Sequence, residues 1–77
     1  MENTSLKTQL GENIAKLRAE AGITQGSFAL MVGVSRQYLI DIENGRANPT
    51  VDMLERIAGG LDTPVSALFE GDRKSVV

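Results

Sequence analysis

Apolar residues recur along this chain at intervals of three and four, in short runs separated by glycine, proline and small hydroxyl residues. That spacing places the apolar members of each run on one face of a helix. In the first run, Leu6, Leu10, Ile14, Leu17 and Ala21 share a face, with Lys7, Glu12, Lys16 and Glu20 largely opposite. The pattern predicts a helix from Leu6 to about Ala21, ended by Gly22, a residue free to adopt positive φ. Thr24 reads as the N-cap of a short second helix that buries Phe28, Ala29 and Val32 and breaks at Gly33. Ser35 then caps a third helix running to about Asn44, where Gly45 stops it. Thr50 caps a fourth, with Val51, Leu54, Ile57, Ala58 and Leu61 as its core stripe. Gly59-Gly60 weakens the last turn of that helix, each glycine costing about 1 kcal/mol relative to alanine. A final short helix begins near Thr63-Pro64 and carries Val65, Leu68 and Phe69. No stretch alternates with a period of two over enough length for a sheet.

The expected fold is therefore all-α, a compact domain of five helices over residues 6–70. Residues 1–5 are expected to be a flexible N-terminus and 71–77 a flexible C-terminal tail. At 77 residues there is room for one modest core, burying only about 60 % of the surface the unfolded chain exposes.

Thr24 to Gly45 is the informative stretch. Two short helices meet there at a tight turn containing glycine, the requirement of a helix-turn-helix. Ala29 is small enough for the second and third helices to approach closely, Gly33 turns the chain without a Cβ clash, and Val34 plugs the angle between them. On a helical wheel for the third helix, Ser35, Leu39 and Ile42 face the core. Gln37, Ile40, Asp41 and Asn44 face the other way, with Arg36 and Tyr38 on the flanks. Arg36 and Gln37 stand at the helix N-terminus, the end that a recognition helix places in the major groove. Arginine offers two donors to guanine, and glutamine a donor and an acceptor to adenine. Asp41 could accept from cytosine N4 or pair locally with Arg36 or Arg46. Ile40 could press on a thymine methyl, and Tyr38 could stack against the sugar-phosphate backbone.

Ile23-Thr-Gln25, Phe28-Ala29, Gly33-Val-Ser35-Arg36, Ile42-Glu43-Asn44-Gly45, Asn48-Pro49 and Val65-Ser-Ala-Leu68-Phe69 occur in this order. With these motifs the chain, from about Leu10 to Phe69, resembles the Xre family, the lambda-repressor-like helix-turn-helix domain of lambdoid phage repressors and Cro proteins. The resemblance implies that Arg36, Gln37 and Asp41 read bases, while Ser35, Asn44 and Arg46 touch phosphates. It implies that Gln25 bonds a phosphate and braces the recognition helix, in keeping with the affinity of helix N-termini for anions. It further implies a structural ion pair between Arg18 and Glu43, tying the first helix to the third. Val65, Leu68 and Phe69 are more apolar surface than a helix of two turns can hide. Part of it is expected in the core and part in a two-fold dimer contact, as in many relatives.

Composition narrows the alternatives. Cysteine and histidine are both absent, which excludes a disulfide, a thiolate zinc site, a Cys–His pair and a Ser–His–Asp triad. No metal site, cofactor, small-molecule effector or catalytic residue is expected, and no pair of acids stands in an evident apolar pocket with an activating partner. No apolar run approaches the roughly 20 residues of a membrane span, and the N-terminus does not read as a signal peptide, so a cytoplasmic location is expected. The net charge of −2 is unusual for a nucleic-acid binder. Much of the acidity lies in Glu2, Glu20, Asp52, Glu55, Asp62, Glu70 and Asp72, mostly away from the third helix. Arg36 and Arg46, helped by the helix starts after Thr24, Ser35 and Thr50, remain to grip phosphates.

The expected function is sequence-specific regulation of transcription by a homodimer on an inverted repeat of double-stranded DNA. The alternative is a protein-interaction module on the same fold, such as an antitoxin or an adaptor. Leu30 and Met31 stand where family members tend to carry charge. Partial burial against a neighbouring loop is the simpler account of them, and a docking surface for a protein partner the sharper one.

Overall fold

The computed structural model describes residues 5–70. Its elements are α1 (Leu6–Glu20), α2 (Gln25–Val32), α3 (Arg36–Glu43), α4 (Val51–Gly60) and a 3-10 helix (Val65–Phe69). Each α-helix starts the same way. Ser5, Thr24, Ser35 and Thr50 sit in extended backbone, and each side-chain oxygen accepts from the backbone N–H three residues on. Such a cap satisfies one of the amides that a helix start leaves without a partner, and contributes about 1 kcal/mol. Ser5 is thus the cap of α1. The other positions expected to be flexible, 1–4 and 71–77, lie outside the described residues.

The five expected helices are four α-helices and one 3-10 helix. The last segment departs from the α form for local reasons. Pro64 has no N–H to give, the segment is only five residues long, and no side chain caps its start. Its C-terminal carbonyls are taken by α1, because Asn13 Nδ2 donates to Leu68 O at 2.8 Å and to Glu70 O at 2.6 Å. Among the described residues there is no strand.

The core gathers Leu10 and Ile14 of α1, Phe28, Ala29 and Val32 of α2, Leu39 and Ile42 of α3, Leu54, Ile57 and Ala58 of α4, and Leu68. Three members of the predicted stripes lie outside it, one of them Ala21, which is exposed as the C-cap that ends α1. The other two, Leu6 at 60 % and Val51 at 69 % exposure, each stand in the first turn of a helix, where the chain has only begun to enter the bundle. Ser35 also faces solvent, its hydroxyl spent on the cap of α3. Leu68 is fully buried within the chain, so it cannot contribute to a dimer contact as expected. The short C-terminal helix closes the core under α1 and α4, and Leu68 is the side chain it inserts.

Two adjacent glycines in α4 have opposite roles. A Cβ on Gly59 would meet nothing within 4 Å, whereas on Gly60 it would lie 2.9 Å from Cε1 of the buried Phe28 ring. Gly59→Ala is therefore expected to stabilise the domain by about 0.5–1 kcal/mol, the helix-interior difference between the two residues. Gly60→Ala is expected to destabilise it by about 1–3 kcal/mol, since the ring has no free volume to move into. Urea unfolding of the two variants checks the contrast, and equal shifts of one sign would contradict it.

Candidate nucleic-acid interface

The turn between α2 and α3 is set by Gly33, whose φ of 80° lies in the left-handed region where a side chain is strained. The Val34 N–H donates back to Ala29 O at 2.9 Å. Arg56 of α4 reaches over with Nη1 to Val32 O at 3.3 Å, occupying a carbonyl that the end of α2 leaves open. This support from a second helix had no signal in the local pattern around Gly33. The start of α3 then projects from a supported corner.

Arg36 and Gln37 are exposed at that start. The Arg36 stem passes the first turn of α2, its Cδ 3.9 Å from where a Cβ on Gly26 would be. Gln37 Nε2 donates to Asp41 Oδ1 at 3.1 Å, one turn along the same face. Among the described residues no ion pair joins Asp41 to Arg36 or Arg46, the local partners considered for it. Asp41 and Ile40 are half-buried; Asn44 and Arg46 are exposed beyond the C-terminal end of the helix. Tyr38 is half-buried with its ring packed against the core, so only part of it faces outward. Leu30 is 83 % and Met31 57 % exposed. No loop covers Leu30, and partial burial does not account for it.

Behind this face lies a buried polar knot. Arg18 Nε is 2.7 Å from Glu43 Oε2 and its Nη2 donates to Oε1 at 3.1 Å, a two-point pair between α1 and the end of α3. Arg18 Nη1 also donates to Ile23 O at 2.7 Å, and Gln25 Nε2 donates to Glu43 Oε1 at 2.9 Å. The Glu43 carboxylate thus ties the end of α3 to α1 and to the start of α2, and the Arg18 guanidinium adds the α1–α2 loop to them. Among the described residues no buried side-chain nitrogen or oxygen lacks a partner, the condition for a buried charge to be tolerated. Gln25 directs its amide nitrogen inward. Its carbonyl oxygen and the amides of Gln25 and Gly26 are left without intrahelical partners, whereas that of Ser27 is taken by the Thr24 cap.

Val65 and Phe69 are half-buried against the core, unlike Leu68. Gly11, which periodicity did not single out, is buried where α1 crosses the last carbonyls of α3. A glycine in mid-helix between Leu10 and Ile14 is a sequence signal for close packing, but not for the element it packs against.

Two short helices at a glycine turn, the second presenting a polar, exposed start on a rigid support, define a helix-turn-helix DNA-binding regulator. The helix-turn-helix family model matches residues 14–68, and the chain belongs to that family. It is 37 % identical over 70 residues to control protein C.MunI from a Mycoplasma species, which spans 90 % of this chain and 95 % of that protein. It is 42 % identical over 59 residues to the immunity repressor protein of Bacillus phage phi105, covering 77 % of this chain and 41 % of the repressor. The solved structure of the restriction-modification controller protein C.AhdI from Aeromonas hydrophila superposes with a TM-score of 0.78 at 27 % identity, over 80 % of this chain and 94 % of that one. The fold also occurs within hydroxypropylphosphonic acid epoxidase from S. wedmorenis (TM-score 0.81, 25 % identity), where the match covers 88 % of this chain and 36 % of the enzyme. Among the described residues no helix is long and apolar enough to cross a membrane.

Proposed function

We propose that this chain regulates transcription, without enzymatic activity of its own, by binding a specific inverted repeat in double-stranded DNA as a homodimer. The observation that carries this reading is the exposed pair Arg36 and Gln37 at the start of a buttressed α3. Each α3 enters a major groove, with half-sites about one turn of DNA apart, roughly 34 Å. Arg36, Gln37, Asp41 and Ile40 face the base edges. Gln25, Ser35, Tyr38, Asn44 and Arg46 lie along the phosphates, where the Ser35 hydroxyl still has its proton to donate while its oxygen caps α3. The two-fold contact falls to Val65 and Phe69, which keep partial exposure. With a net charge of −2 and few basic side chains on the face, few counterions are released, and the salt dependence of binding is shallow.

The contacts divide into two kinds that a titration separates. Arg36→Ala is expected to lose about 1–3 kcal/mol on the preferred site and to relax one base position. Arg46→Ala is expected to weaken all sequences alike and to lower the salt slope by about 1. Fluorescence anisotropy on matched and mismatched duplexes at several salt concentrations checks both. Loss of equal size on every sequence for Arg36→Ala would remove it from base reading.

A second reading, an antitoxin-like or adaptor module that binds a protein, is favoured by one observation: Leu30 and Met31 expose adjacent large apolar side chains on α2.

A further inference from the structure

The base-reading face contains one internal hydrogen bond, from Gln37 Nε2 to Asp41 Oδ1 at 3.1 Å. A carboxylate accepts and cannot donate, so it is satisfied only by the amide nitrogen of Gln37, never by its carbonyl oxygen. The amide therefore has one chemical orientation. Nε2 keeps its second N–H free and the carbonyl oxygen remains open as an acceptor. That is the donor-and-acceptor arrangement complementary to N7 and N6 of adenine in the major groove, and it mismatches guanine, which shows two acceptors there. Without Asp41 the amide can turn over and meet other edges.

We infer that Asp41 is a positioning residue that fixes the amide of Gln37 for adenine, instead of a residue that reads a base of its own. The inference rests on the DNA-reading function proposed above. The placement of Asp41 agrees with it. A carboxylate facing DNA is repelled by the phosphates, and neither Arg36 nor Arg46 pairs with Asp41 among the described residues. Gln37 is the donor that answers it, at the i, i+4 spacing at which glutamine and aspartate meet on a helix. A negative charge held at the edge of the groove also disfavours sliding onto unmatched sequence.

The test uses the full chain and the duplex it enriches from a randomised pool, with all four bases placed at each position of a half-site. Gln37→Ala first marks the position whose discrimination depends on Gln37. Adenine is expected there in the wild type, preferred over guanine by about ten-fold or more. Asp41→Asn offers Gln37 both a donor and an acceptor, and Asp41→Ala offers neither; both are expected to reduce that preference to about three-fold or less, at the same position only. Rescue by Asp41→Glu, which keeps the acceptor-only carboxylate, is expected to be partial. Loss of discrimination at a position that Gln37→Ala leaves alone would make Asp41 a direct reader and overturn the inference. So would guanine as the preferred base at the Gln37 position, equal tightening on all sequences, or no change in either Asp41 variant. If the wild type enriches no site, the DNA-reading proposal fails first, and this one with it.

Discussion

Glu43→Ala is expected to lower the stability of the domain by about 3–5 kcal/mol, the cost of removing one partner from a buried ion pair. The charge left behind is Arg18, whose side chain is 14 % exposed against 5 % for Glu43. It would keep its bond to Ile23 O but lose both contacts to the carboxylate, and Gln25 would lose the acceptor for its amide. A chain of this length holds roughly 4–12 kcal/mol in all, so the variant would be only marginally folded at room temperature. The double replacement Arg18→Met/Glu43→Leu removes both charges and fills the space with apolar atoms. It is expected to recover most of the loss, because such swaps are often neutral or stabilising. Urea unfolding of the two single variants and the double one tests this. A loss under about 1 kcal/mol for Glu43→Ala would place the pair with ordinary surface salt bridges.

The second large effect is expected at Gly11. Alanine for glycine inside an exposed helix usually stabilises by about 0.5–1 kcal/mol, and the sign should reverse here. A Cβ on Gly11 would lie 2.6 Å from Glu43 O and 2.8 Å from Glu43 C, and closer still to Ile42 O. These are backbone atoms of α3, so no rotamer change relieves the overlap, and α1 and α3 must separate. Gly11→Ala is expected to cost on the order of 3 kcal/mol, at the upper end for overpacking. The shift would reach the carboxylate of Glu43 itself, so this change and Glu43→Ala should be non-additive. Equilibrium unfolding of each variant and their combination measures the coupling.

The α-helices were legible because four hydroxyl residues, Ser5, Thr24, Ser35 and Thr50, cap them, and because helical periodicity and capping are local signals. Periodicity overstated the core at Leu6, Ala21 and Val51, since a wheel reports the face of a helix and not where along it the neighbours begin and end. The end of the Val65–Phe69 segment is held by Asn13, 55 residues from Leu68 in the chain, and no local pattern carries that contact. The same holds for Gly11 against α3 and Arg56 against the end of α2. At the candidate site, Arg36 and Gln37 were readable from their place at a helix start. The local partner of Asp41 is one the sequence did not suggest: opposite charge pointed to Arg36 or Arg46, whereas the donor is the neutral Gln37 one turn earlier on the same face. The approach of Arg18 to Glu43 was implied by family resemblance, while the addition of Ile23 O and Gln25 to that pair follows only from the fold. Partial burial, the simpler account of Leu30 and Met31, does not hold, since both side chains are exposed.

The proposed function rests on the start of α3 reading DNA sequence. Its most direct test is enrichment from a randomised duplex pool at low and moderate salt, wild type beside Arg36→Ala/Gln37→Ala. Both side chains are exposed, so the double variant should retain its melting temperature. The wild type is expected to enrich a two-fold symmetric site and the double variant to enrich none. Enrichment of the same site by both, or of no site by the wild type at either salt, would contradict it.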